Sequence, residues 1–234
     1  MRPIVFVLGL AALTVAGAPA REAAADDGPA RVRHALFVVA EGVYNSELMA
    51  PYDVLQHSLF RDPDDYVATA IVSADGAPVT TFEGIVVQAH HSFEDAPRAD
   101  ILVIPSTRGS MDADLADTRY MAYVKRAAEA AEWVITVCDG AFPLAATGLL
   151  DGRVATTFPA DRERLAEMFP EVEVRHDVRL VVDGKFITSV GGGMSYEPAF
   201  YLVERLYGAD HVAATARGLV WPWSLADVPH LIAR

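Results

Sequence analysis

From residue 34 onward, short apolar runs alternate with longer stretches whose apolar positions recur every three or four residues. HALFVVA (34–40), YVATAIVSA (66–74), ILVIP (101–105) and WVITVC (133–138) are rich in valine and isoleucine. Their apolar positions run together, which predicts strands covered on both faces. SELMAPYDVLQHSL (46–59) and LADTRYMAYVKRAAEAAE (115–132) carry the helical period instead. RVATTF (153–158) and VRLVVDGKFITSV (178–190) predict further strands, the latter a pair joined by a turn at Asp183-Gly184. Two closing helices are predicted over 195–208 and 209–220, and no internal repeat is visible. Strands alternating with helices imply an α/β fold: a flavodoxin-like three-layer sandwich with a mostly parallel sheet and right-handed crossovers. Such sheets bind ligands at the carboxyl ends of their strands. Three unusual loops fall there: EGVYNSEL after the first strand, PSTRGS after ILVI, and CDGA after WVITV.

The first 20 residues break this pattern. One arginine, an apolar run from Ile4 to Val15 and an Ala18-Pro19-Ala20 exit have the shape of a cleavable secretory signal. The run is short of the roughly 20 apolar residues a membrane span needs. Residues 21–31, charged and alanine-rich, read as a flexible linker, and 32–234 as one domain. The expectation is a periplasmic or secreted protein, with an amino-terminal anchor as the alternative. The formal charge of −13 sets 32 acidic against 19 basic side chains. An acidic surface repels phosphate backbones, so nucleic acid is not an expected partner. With one cysteine in 234 residues no internal disulfide can form, and stability rests on packing.

That cysteine, Cys138, stands where a buried strand runs into a turn. Free cysteine is usually an inert core residue. A strand that bends sharply into a helix, however, projects its turn residue toward the free amides of the helix start, which favour a thiolate and can hold an oxyanion. Asp139 and Gly140 would be the donors, and glycine permits the tight geometry. The residues alone leave both readings open.

VCDGAFPLAATGLLDGRVATTFPAD followed by ITSVGGGMSYEPAFYLVERLYG resembles the ThiJ/PfpI superfamily, a branch of the class I glutamine amidotransferase-like fold. The resemblance runs from about residue 33 to 222. It implies that Cys138 is the elbow nucleophile and that Glu47 is an acidic side chain reaching its sulfur. A carboxyl at hydrogen-bond distance would relay the proton; Glu47 as a favourable charge at a helix start is the alternative. The resemblance also implies a homodimer, a small-molecule substrate or ligand, and neither metal nor organic cofactor. Two positions depart from the family. Phe158 stands where many members have a histidine, which argues against a Cys-His peptidase. Pro105-Ser106-Thr107 replaces the family's PGG, leaving the Thr107 amide as a candidate second oxyanion donor.

Other features carry less. His90-His91 lies in a predicted loop without further ligands at metal spacing, and Ser92 is expected to cap a short turn. The glycines of GGGMS (191–195) would let backbone pass close to the elbow, with Ser195 capping the next helix. Asp139, expected to be exposed beside the thiol, would orient substrate or favour the helix start. Trp221 and Trp223 read as packing or subunit-contact residues. Two functions are compatible with this: a cysteine-dependent hydratase, or glyoxalase/deglycase-like enzyme, acting on a small electrophile; or a non-catalytic periplasmic redox-sensing or ligand-binding protein. A transcription regulator is disfavoured, since no DNA-binding helices are predicted after residue 222.

Overall fold

The computed structural model describes residues 30–233. The expected signal segment and linker residues 21–29 lie outside the described residues. Arg31, assigned to the linker from sequence, is held to the domain: its guanidinium meets Glu132 at 2.5 Å and its amide donates to Asp65.

In chain order the elements are β1 (Arg33–Val38), α1 (Asn45–Gln56), β2 (Val67–Ser73), β3 (Val79–Thr80), β4 (Val86–Val87), β5 (His91–Ser92) and β6 (Ile101–Ile104). Then come α2 (Ala113–Ala116), α3 (Thr118–Ala130), β7 (Trp133–Val137), α4 (Ala141–Ala146), β8 (Val154–Ala155), α5 (Arg162–Met168) and β9 (Glu173–Val174). The chain closes with β10 (Leu180–Asp183), β11 (Phe186–Ser189), α6 (Glu197–Tyr207), α7 (Ala209–Gly218) and β12 (His230–Ile232). Eight strands form one sheet in the order β12-β10-β11-β7-β6-β1-β2-β5. It is parallel except at the β10–β11 hairpin, whose turn is Gly184-Lys185, one residue beyond the predicted Asp183-Gly184, because Asp183 still pairs with Phe186 in the ladder.

The continuous apolar runs follow from burial on both faces. Successive residues of a strand point to opposite sides. Phe37 of β1 accordingly joins a core with Leu48 and Val54 of α1 and Phe200 of α6. Its neighbours Leu36 and Val38 join a second core with Tyr120 of α3, Phe142 of α4 and Leu165 of α5. Helices therefore cover both faces, giving the predicted α/β three-layer sandwich. Among the described residues no helix is long and apolar enough to cross a membrane.

Four further sequence expectations change. The helix predicted over 115–132 is two helices, because the Asp117 carboxylate accepts from the amides of Arg119 and Tyr120 and starts α3 afresh. The helix predicted to reach residue 59 ends at Gln56 and tightens into a 3₁₀ turn over His57–Phe60. The strand predicted over 153–158 shrinks to β8, which pairs with β9 outside the main sheet, while Thr156 and Thr157 turn to side-chain hydrogen bonding. β12, a three-residue run after Pro229, adds an unpredicted edge strand.

Candidate active site

The elbow lies between β7 and α4. Cys138 to Gly140 make one 3₁₀ turn that runs directly into the helix. Cys138 has φ of 56°, one of only two non-glycine residues with positive φ among the described residues. That conformation costs about 1–3 kcal/mol and persists only where the surroundings enforce it. Here Thr157 Oγ1 donates to the Cys138 carbonyl at 3.0 Å. Two glycines admit backbone where no side chain fits. A Cβ on Gly140 would stand 2.0 Å from the Ile104 carbonyl oxygen, and one on Gly191 would stand 2.4 Å from Cys138 Cβ. The GGGMS loop thus passes close to the elbow, as expected from its glycines.

Cys138 is 6% exposed. Glu47, in the first turn of α1 and 5% exposed, shares a hydrogen bond with its thiol. The same carboxyl accepts from the Ser106 amide at 3.2 Å and from the Gly192 amide. The first-turn placement and the reach to sulfur therefore coexist. Pro51 also removes the helical donor that would otherwise meet the Glu47 carbonyl. Burial pushes the Glu47 carboxyl up to about 7, against the pull of its three hydrogen bonds. Burial likewise raises the Cys138 thiol, and the Glu47 and Asp139 carboxylates push the same way. The Asp139 amide lowers it, in the direction expected of a helix start, but is outweighed. Glu47 and Cys138 are thus a coupled pair that gives up one proton near neutral pH and holds the second far more tightly.

Two expected roles change. Asp139 is buried, not exposed: its Oδ1 lies 2.9 Å from Thr157 Oγ1 and shares that hydroxyl's single proton with the Cys138 carbonyl. Burial raises its carboxyl to about 6, with Asp161 adding to the shift. The Thr107 amide donates to Ser110 Oγ at 2.9 Å, so it is not available as a second oxyanion donor. The amide one residue earlier, Ser106, faces the site and is spent on Glu47. At Gly140 the missing side chain admits the Ile104 carbonyl.

Thr157, Tyr44 and the Gly192 amide join the site without having been singled out. Tyr44 ends the loop after β1, and its phenol lies in the field of Glu47, Cys138 and Asp139, which adds to the rise that burial causes. Its position inside EGVYNSEL was the available signal. Phe158 is 40% exposed and places no proton-accepting group at the elbow. Ser195 Oγ donates to the Gly192 carbonyl and does not cap α6. His91 and Ser92 pair with β2 as an edge strand rather than a loop. His90 Nδ1 accepts from the Ile71 amide, and Ser92 Oγ caps the following turn as predicted. Among the described residues no group of three His, Cys, Asp or Glu side chains is placed to hold a metal ion. Trp221 stacks on Tyr196, and Trp223 donates to Glu204 while stacking on Phe200.

An α/β sandwich carrying a cysteine at a strand-to-helix elbow, faced by a buried carboxyl, defines the class. The chain belongs to the DJ-1/PfpI family, whose model matches residues 33–205. It is 32% identical over 174 residues to isonitrile hydratase of Pseudomonas putida, covering 74% of this chain and 72% of that one. Among solved structures, a ThiJ/PfpI family protein from Pseudomonas syringae superposes with a TM-score of 0.74 at 22% identity, covering 86% of this chain and 83% of the other. Drosophila melanogaster DJ-1beta gives 0.70 at 22% identity, covering 82% and 100%.

Proposed function

We propose that the chain is a cysteine-dependent enzyme acting on a small electrophile, and that its reaction is hydration of a carbon–nitrogen multiple bond. The observation that carries this reading is the buried Cys138–Glu47 pair, two groups that share a proton near neutral pH. The likeness to isonitrile hydratase supplies the substrate class. With an isonitrile, the Cys138 thiolate adds to the terminal carbon and the Glu47 proton moves to the adduct, leaving a thioimidate. Water then attacks the same carbon and gives one proton to the Glu47 carboxylate. Its second proton ends on nitrogen, the carbon–sulfur bond breaks, and an N-substituted formamide leaves with Cys138 again a thiolate. A reactive carbonyl would meet the same nucleophile in a glyoxalase or deglycase-like reaction.

The test is hydration of a simple alkyl isonitrile. Cys138→Ala is expected to abolish turnover, and Glu47→Gln to lower kcat/KM at least tenfold. Turnover surviving in Cys138→Ala contradicts the reading. Phe158 at the histidine position and the engaged Thr107 amide favour a second reading, a non-catalytic redox sensor or ligand-binding protein. Mass spectrometry after mild peroxide separates the two, because stable sulfinic acid on Cys138 with no turnover selects sensing. We further propose export with cleavage near Ala20 and assembly as a homodimer. The mass of the mature chain and its sedimentation behaviour test these.

A further inference from the structure

In the hydration proposed above, the second half of the reaction needs two proton transfers at once. As water attacks the thioimidate carbon, Glu47 is occupied in accepting a proton from it, while the nitrogen has to gain one. A single carboxyl cannot accept and donate in the same step. The donor to nitrogen must also lie beside the sulfur, because the adduct's nitrogen is only two bonds away from it.

Asp139 meets both conditions. It shares the 3₁₀ turn with Cys138, is 8% exposed, and its carboxyl is in hydrogen-bond contact with the Cys138 thiol. The sulfur thus meets Glu47 and Asp139 together. One S–H serves only one of them at a time, so a second proton belongs to the cluster. Thr157 Oγ1 stands 2.9 Å from Asp139 Oδ1, and the half-buried Asp161 carboxyl contacts Asp139 from the residue before α5. Burial raises the Asp139 carboxyl to about 6, and the Thr157 and Cys138 contacts oppose this while Asp161 adds to it. Glu47 and Tyr44, which face it from the start of α1, both feel its charge.

We propose that the Asp139 side chain is the second proton carrier of the reaction, an inference that rests on the hydratase reading. It gives its proton to the thioimidate nitrogen while Glu47 takes one from the attacking water, which leaves a neutral tetrahedral adduct. The hydroxyl proton of that adduct then passes to the Asp139 carboxylate as the carbon–oxygen double bond forms. The carbon–sulfur bond breaks with its electron pair returning to sulfur. Cys138 is left a thiolate with both carboxyls protonated, the state from which addition began.

A quenched single turnover of the full chain with butyl isonitrile, read by intact-protein mass spectrometry, separates the two halves. In Asp139→Asn, whose amide oxygen can still accept from Thr157, the thioimidate is expected to form and then to decay at least tenfold more slowly than in wild type. The wild-type decay rate should fall as pH rises above about 6, because a required donor is then emptied, and the variant should lack that limb. Asp161→Asn removes the neighbouring charge and should move the limb to lower pH. Decay within threefold of wild type in Asp139→Asn overturns the proposal and leaves the hydratase reading standing. Where Asp139→Asn forms no adduct at all, an unmoved limb in Asp161→Asn overturns it instead. Wild type that forms no adduct and no formamide defeats the hydratase reading itself, and this inference with it.

Discussion

Two neighbouring parallel strands end in opposite ways. β7 passes into its helix through Cys138 with almost no loop, and the bend exists because two positions carry no side chain, Gly140 against Ile104 and Gly191 against Cys138. β6 ends at Ile104 and reaches α2 only at Ala113. The intervening loop is held by side chains: Thr107 Oγ1 donates to Asp114 and accepts from the Gly109 amide, while Ser110 Oγ accepts from the Thr107 amide. One turn depends on excluded atoms, the other on polar atoms that are present. Substitution in the first is therefore close to all-or-none, whereas in the second it is graded.

The sharpest break in that comparison is Gly140→Ala. A methyl group 2.0 Å from a carbonyl oxygen forces β6 and the elbow apart, and the expected loss is at least ~3 kcal/mol in chemical denaturation. Gly191→Ala should behave similarly, since it combines a 2.4 Å contact with a φ of 73°. A cost below about 1 kcal/mol in both would show the elbow to be compliant.

Next in size is the proton linkage of Glu47. Its carboxyl is raised from its ordinary 4.5 to about 7 in the folded chain. Between those values the folded protein binds more protons than the unfolded one, so this group's contribution falls as pH rises through the window. Relative to Glu47→Gln, wild type should lose on the order of 2 kcal/mol of stability from about pH 4.5 to about pH 7. Parallel stability curves for the two proteins would place the titrating carboxyl elsewhere.

The smallest effect belongs to the polar loop. Thr107→Val removes the hydroxyl joining Asp114 to the Gly109 amide and should cost about 1 kcal/mol in thermal unfolding, with turnover at Cys138 kept. A loss as large as that of Gly140→Ala would erase the distinction between the two turns.

This contrast also marks what was legible beforehand. β1, β2, β6 and β7 stood out because helices cover both faces of the sheet they form, so most of their residues are apolar and buried or half-buried. Cys138 and its glycines were legible from the elbow motif, and Glu47 from the family resemblance. The split between α2 and α3 was hidden because Asp117 interrupts the backbone without interrupting the apolar period. β12 was too short and lay beside a proline. The donors that hold Glu47, the Ser106 and Gly192 amides, have no residue-type signature, since any non-proline residue supplies one. The Thr107 amide was misassigned for the same reason: which of two successive amides faces the site depends on loop conformation, and here Ser110 captures the second.

The central claim is that Glu47 governs the protonation of the Cys138 sulfur. The rate of Cys138 alkylation by iodoacetamide, followed from pH 5 to pH 10 in wild type and in Glu47→Gln, addresses it directly. The predicted wild-type profile rises through an inflection near pH 7, where the pair loses its first proton, and that inflection is absent from the variant. Superimposable profiles would contradict the account and leave Cys138 a buried thiol with an unconnected neighbour.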